Sequence, residues 1–235
     1  MAKRVPEGPA PDPAVQKMRL QYAKRGRLRF SSSRDFQRAL ERAIRRAGLP
    51  IAFSAGFHPH PKISYANAAP TGAASEAEYF EIQLTRECDP DQVRADLDAA
   101  LPPGLDIVRA MTAGPGGLAD KLEASTWQLA FAADTDVEAL RSAVQTLLDT
   151  PQVDVTRMMK AGPKTFDMRA ALVDAQVSDD AQLAIVVRHQ APSIRPDDVV
   201  KALESVAGFR TTRPPVATRL AQGPLAGTAI GDPLG

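Results

Sequence analysis

Arg34-Asp35-Phe36-Gln37-Arg38-Ala39-Leu40-Glu41-Arg42-Ala43-Ile44-Arg45-Arg46-Ala47 is the stretch from which the rest of the chain is read. Phe36, Ala39, Leu40, Ala43, Ile44 and Ala47 recur at three- and four-residue intervals, the apolar stripe of a helix lying against a core. Arg34, Arg38, Arg42 and Arg45 follow one another at spacings of four, four and three. Residues so spaced share a face, here the one opposite the apolar stripe. Gly48 and Pro50 stop the helix, and Ser33 ahead of it suits an N-cap role.

Upstream, Met18, Leu20 and Tyr22, and after a turn at 24–26 also Leu28 and Phe30, fit a strand whose outer face carries Arg27 and Arg29. Downstream, strands are expected at Ile63–Asn67, Tyr79–Leu84 and Leu105–Met111. Between the last two lies a helix from Pro90 to about Leu101, with Asp89 as its N-cap. The order β-α-β-β-α-β is the ferredoxin-like arrangement. The second half repeats it less cleanly, with strands at Thr126–Ala132, Val153–Met158, Thr165–Leu172 and Leu183–Arg188 and helices at Val137–Leu148 and Pro196–Val206. Lys160-Ala161-Gly162-Pro163-Lys164 reads as a hairpin turn, and Trp127 as core. The expected class is α+β, two ferredoxin-like subdomains over 17–112 and 123–210, with antiparallel sheets covered by helices. Residues 1–16, with Pro6, Pro9, Pro11 and Pro13, read as a disordered lead-in. The Pro- and Gly-rich stretch 213–235 reads as a disordered tail.

A net charge of +1 conceals a strong asymmetry. From Lys17 to Lys62 the balance is +10, whereas residues 63–235 carry −9. A basic segment of this kind points to an anionic partner. Guanidinium matches phosphate in a bidentate way, and phosphate contacts release counterions. The single cysteine, Cys88, excludes an internal disulfide, a Cys-rich zinc site and an iron–sulfur cluster. No apolar run approaches the roughly 18 residues of a membrane span, and no secretory h-region is present at the start. A cytoplasmic protein without metal, cofactor or membrane contact is expected.

The second signal is Ser54-Ala55-Gly56-Phe57-His58-Pro59-His60-Pro61-Lys62, which holds two of the three histidines in the chain. Each proline confines the residue before it to extended geometry, so His58 and His60 would project from a stiff loop. Metal ligation needs further ligands, and the third histidine, His189, is remote in sequence. Acid–base cleavage of RNA by the pair is chemically feasible. Stacking on, and hydrogen bonding to, a nucleotide suits imidazoles in a basic setting.

The runs Leu28-Arg29-Phe30-Ser31-Ser32-Ser33-Arg34-Asp35-Phe36, Arg38–Ala43, Gly48-Leu49-Pro50 and Phe53–Ala66, with Pro70-Thr71-Gly72 and Ser75–Tyr79, resemble the radical-SAM-linked family. That domain of unknown function occurs alone or fused behind a radical SAM protein of the cobalamin-binding-domain type. The likeness is dense from Arg19 to Leu84 and holds only in outline beyond. Asp35, His60 and Lys62 match the family pattern, but its Phe-x-Ser-His-x-Asp segment has Ser33 in place of the histidine. Any chemistry that needed that histidine would be missing here. The resemblance implies a link to a radical SAM enzyme and to RNA metabolism.

Three functions follow as expectations. The first is a non-catalytic RNA-binding or substrate-presenting partner of a radical SAM enzyme acting on tRNA or rRNA. In it Arg27, Arg29, Arg34, Arg38, Arg42 and Arg45 hold phosphates, and His58, His60 and Lys62 read a nucleotide. The second is a metal-independent RNA-processing enzyme using His58, His60 and Lys62 for catalysis. The third is an adaptor whose basic face docks an acidic protein surface.

Overall fold

The computed structural model describes residues 11–235. The lead-in expected over 1–16 lies largely outside them. Residues 11–15 carry no regular secondary structure, and Gln16 already belongs to the first strand. The architecture is mixed α+β, with mostly antiparallel strands and four α-helices among the described residues. Two compact units are present. One holds the described residues through Thr71 together with Ala77–Ala119 and Leu234–Gly235, and the other holds Gly72–Glu76 and Asp120–Pro233. No helix among the described residues is long and apolar enough to cross a membrane.

The first unit contains β1 (Gln16–Lys24), α1 (Ser33–Arg46), β2 (Ile63–Ala66), most of β3 (Ala74–Leu84), α2 (Pro90–Ala100) and β4 (Leu105–Thr112). The strand order is β4-β1-β3-β2, with β4 antiparallel to β1 and β2 antiparallel to β3. Alternation decides which side of each strand meets the helices. Met18, Leu20 and Tyr22 of β1 and Phe80, Ile82 and Leu84 of β3 pack with Phe36, Leu40, Ala43 and Ile44 of α1 and with Val93 and Leu97 of α2. The Phe36 ring stacks on Tyr22 at 3.8 Å and meets Phe80 edge-on at 5.9 Å. Burying such a ring contributes about 1.5–3 kcal/mol, so Phe36 anchors α1 at a set rotation.

Some of the basic residues of this unit are internal. Arg19 is fully buried; its Nε donates to Glu81 Oε1 at 2.9 Å and its Nη2 to the Gly116 carbonyl. Lys17 pairs with the other oxygen of Glu81 at 2.7 Å. Lys24 is buried and donates to the carbonyls of Ala69 and Pro70. Arg19 and Lys24 thus lie inside the fold, whereas Lys17 reaches Glu81 from a partly exposed position.

The second unit contains β5 (Ala124–Ala130), α3 (Val137–Asp149), β6 (Asp154–Met159), β7 (Gly162–Asp167), β8 (Leu172–Val177), β9 (Gln182–Arg188), α4 (Pro196–Ala207), β10 (Val216–Gly223), β11 (Leu225–Ala226) and β12 (Ala229–Ile230). Its strand order is β10-β5-β9-β8, antiparallel throughout. Ala74 and Ser75 pair in parallel with Thr218 and Arg219 of β10. Strands β6 and β7 form a hairpin of their own, as do β11 and β12. Trp127 is buried.

Two expectations are corrected here. The single strand expected over Thr165–Leu172 is two, β7 and β8, separated by a 3-10 turn at Arg169–Ala171. Asp167 Oδ1 accepts the N–H groups of both Val153 and Arg169, which closes the β6–β7 hairpin and bends the chain away. The disordered tail expected over 213–235 is instead largely ordered, because Val216–Gly223 is a strand paired along its length with β5. Its burial runs against its polarity: Arg219 and Gln222 are buried while Leu220 is exposed. Arg219 lies 5.0 Å from the Trp127 ring and donates to Gln222. A side chain at Gly223 would collide with the carbonyl of Gly231, so the strand ends in a close backbone approach.

Candidate functional site

The N-terminus of α1 is set by a capping box. Ser32 Oγ accepts the Asp35 N–H at 3.2 Å, and Asp35 Oδ2 accepts the Ser32 N–H at 3.0 Å and its hydroxyl at 2.7 Å. The N-cap is thus Ser32 and not Ser33 as expected; Ser33 is the first helical residue and is exposed. The Ser32 hydroxyl, then its N–H, and further the Arg38 charge hold the Asp35 carboxyl below the ordinary carboxylate range. In the motif around residues 30–35, the Ser and the Asp therefore have a structural role.

Arg34, Arg38, Arg42 and Arg45 are all exposed on α1. At 3.6 residues per turn they fall within about 80° of arc. None of the four makes an ion pair among the described residues. Their neighbours differ: Arg46 donates to the Ala100 carbonyl at 3.0 Å and Arg25 pairs with Asp106 at 2.8 Å. Glu41, on the same side of the helix, is half-buried, and its charge acts on Tyr65. Burial, with that carboxylate nearby, pushes the Tyr65 hydroxyl above the ordinary tyrosine range.

The strand expected to carry Arg27 and Arg29 is not formed. Gly26 takes φ +53°, and Gly26–Phe30 is a 3-10 helix in which Leu28 N–H bonds Arg25 O and Ser31 N–H bonds Leu28 O. Leu28 turns to the core while Phe30 remains 59% exposed, so the two do not share a strand face. Arg27 is exposed. Arg29 is half-buried, with its guanidinium 4.7 Å from the Phe30 ring centroid and its Nε without a partner. Both arginines stand at the N-terminal end of α1.

The histidine loop leaves the opposite end. Gly48 at φ +63° ends the helix, and Leu49 N–H bonds Ile44 O. Ala52 N–H then bonds Gln83 O, Lys62 N–H bonds Ala52 O, and Ile51 and Phe53 form bridges with Leu84 and Pro61. Ser54 N–H donates to His60 O at 2.8 Å, and His60 N–H donates to Ser54 Oγ at 3.0 Å. Residues 53–61 therefore form a braced miniature hairpin on the sheet, not a free loop. His58 is exposed at its tip, His60 is exposed on the arm bonded to Ser54, and Lys62 is half-buried at its base. Arg42 and Arg45 share this end of α1, whereas Arg27, Arg29 and Arg34 lie at the other, roughly 20 Å along a helix of this length. Among the described residues, no group of three or more His, Cys, Asp or Glu is placed to hold a metal ion.

Three residues that the sequence did not mark as site candidates, Phe30, Phe53 and Phe57, are 59%, 41% and 58% exposed. Large aromatic side chains interleaved with Arg, His and Lys were the available signal. The third histidine, His189, is part of the second unit's interior. Its Nδ1–H donates to the Leu122 carbonyl at 2.7 Å, which leaves Nε2 to accept from the Ser125 hydroxyl at 2.6 Å. Burial holds its pKa below the ordinary histidine value, with the Arg219 charge acting in the same direction.

Residues 17–196 match the family model described as "Uncharacterized protein conserved in bacteria (DUF2344)", and the chain belongs to that family. A search of the curated proteins found no match. An unknown protein from Galdieria sulphuraria is 15% identical, with 86% of this chain and 98% of that one covered and a TM-score of 0.27. The first two RRM domains of yeast poly(U)-binding protein (Pub1) are 13% identical, with 87% and 98% covered and a TM-score of 0.19. At such scores neither likeness bears on fold or function.

Proposed function

We propose that the chain is a non-catalytic, cytoplasmic accessory protein that binds RNA, or presents it, to a radical SAM enzyme of the cobalamin-binding-domain type. Both units are read as ferredoxin-like, since each places its strands in the 4-1-3-2 order of a βαββαβ unit. The observation that carries the reading is the row Arg34, Arg38, Arg42 and Arg45, exposed on one helix face without an ion pair among the described residues. Like charges at these spacings repel by a few tenths of a kcal/mol per pair, and a phosphate backbone relieves that repulsion. Arg27 and Arg29 extend the row at one end. His58, His60 and Lys62 stand at the other, where imidazoles contact a nucleotide. The link to a radical SAM enzyme rests on the resemblance carried by Arg19–Leu84.

The test is binding of labelled total tRNA and of a short single-stranded RNA across a salt series. The expected log–log slope is about −0.7 per phosphate contact on a single strand. Charge reversal at Arg38→Glu and Arg42→Glu should abolish binding while the fold is kept. Unchanged binding in that variant would sink the proposal. Capture of an acidic protein with no RNA binding at low salt would replace it with the adaptor. RNA cleavage lost in His60→Ala would replace it with the enzyme.

A further inference from the structure

We infer that the RNA is taken unpaired, with bases stacked on Phe53 and Phe57 at one end of α1 and on Phe30 at the other. The inference rests on the RNA-binding reading and narrows its substrate class. Three phenylalanine rings open to solvent are unusual beside a well-filled core, and all three lie within or beside the basic segment. Phe57 precedes His58 at the tip of the braced hairpin, and Phe53 sits at its bridge with Pro61. Backbone bonds from Ser54, Ala52 and Lys62 and the two prolines hold that hairpin, so its rings need little further ordering when a ligand arrives. Phe30 is presented by the 3-10 turn, with the Arg29 guanidinium over its ring.

Aromatic platforms separated by a track of guanidiniums are what a single strand needs, because its bases offer free π-faces while its phosphates follow the charge. A duplex hides those faces and would use the arginines alone. An acidic protein would also engage the arginines, but it draws on the apolar bulk of the rings and has no need of their π-faces.

The experiment uses the full chain, fluorescence anisotropy, a short unstructured oligouridine and a blunt RNA duplex of equal length. The single strand should bind more tightly than the duplex. Phe57→Ala, Phe53→Ala and Phe30→Ala should each weaken single-strand binding by roughly 5- to 100-fold, the loss of one base stack. The salt slope should stay unchanged in all three. Phe57→Tyr should keep the affinity and Phe57→Leu should lose it, which separates stacking from apolar bulk. Circular dichroism of each variant should match the parent, as the exposed rings take no part in the core. Equal binding of duplex and single strand, with the Phe variants unaffected and the Arg38/Arg42 reversal still damaging, would overturn this inference and leave the RNA reading standing. Loss of affinity in Phe57→Ala but not in Phe57→Leu would also overturn it. No binding of either RNA would overturn both.

Discussion

The two units share a strand order and a pair of helices, yet their first helices treat positive charge differently. In the first unit α1 holds Arg34, Arg38, Arg42 and Arg45 on its outer face with no ion pair among the described residues. In the second unit three arginines are paired with acids. Arg141 of α3 reaches both Glu138 and Asp179, Arg157 is buried against Asp198 at 2.6 Å, and Arg210 pairs with Glu204. The connection after the first helix differs as well. It is the His-Pro hairpin in one unit and the β6–β7 hairpin, with Met158 exposed, in the other. A βαββαβ frame needs only the inner face of its first helix for the core, so the outer face is free to vary. The difference is that Arg141 of α3 is met by carboxylates, while the row on α1 has none of its own among the described residues; on the reading proposed above, that row is the part left for RNA.

That contrast can be broken by experiment. The largest effect belongs to the second unit: Asp198→Ala strands the buried Arg157 and removes the carboxylate that accepts the Arg195 N–H at the start of α4. A loss of about 3–5 kcal/mol in chemical denaturation is expected. If α1's arginines were equally structural, Arg38→Gln with Arg42→Gln would also destabilise. Instead their removal should change stability by no more than about 0.5 kcal/mol while RNA affinity falls more than tenfold, read by thermal melting beside anisotropy. Ser32→Ala should cost about 1 kcal/mol through loss of the cap, a structural effect at the head of the same helix.

Acid should separate the units. His189 is neutral in the fold with its pKa lowered from 6.5, so the unfolded chain takes up a proton first. Its contribution is complete above pH 6.5 and is lost as the pH falls below that value. Asp35, lowered from 3.8, keeps its contribution until the pH drops under about 3.8. Hydrogen exchange between pH 7 and pH 5 should therefore show β5 and β9 loosening before the start of α1, and His189→Gln should remove the difference. The smallest effect is Arg141→Ala, whose exposed pairs should be worth no more than about 0.5 kcal/mol.

Much of this was legible in the residues. Helix ends were readable because their signals are local: Asp89-Pro90 opens α2, Gly48 closes α1, and Lys160–Lys164 turns a hairpin. The arginine face was readable for the same reason, since a helix converts spacing directly into direction. The one-residue shift of the cap from Ser33 to Ser32 shows the limit, because adjacent serines compete and only the Asp35 hydrogen bonds choose between them. Leu28 and Phe30 misled because two apolar residues at i and i+2 fit a strand as well as a 3-10 turn, and the Gly26 dihedral decides. The exposed state of Phe30, Phe53 and Phe57 was hidden, as a phenylalanine is ordinarily assigned to a core.

By itself the sequence determined the α+β class, the amphipathic α1 and the basic first segment. Only the tertiary structure decided that Val216–Gly223 is a strand and that Arg19, Lys24 and Arg219 lie inside. It also decided that the histidine loop is braced by the neighbouring strand. The physical reason is the range of the interactions. Helix faces and caps are fixed by residues three or four apart, whereas a strand exists only where a distant segment supplies its hydrogen bonds. A buried cation, likewise, is tolerated only where Glu81, Trp127 or a carbonyl is brought to meet it.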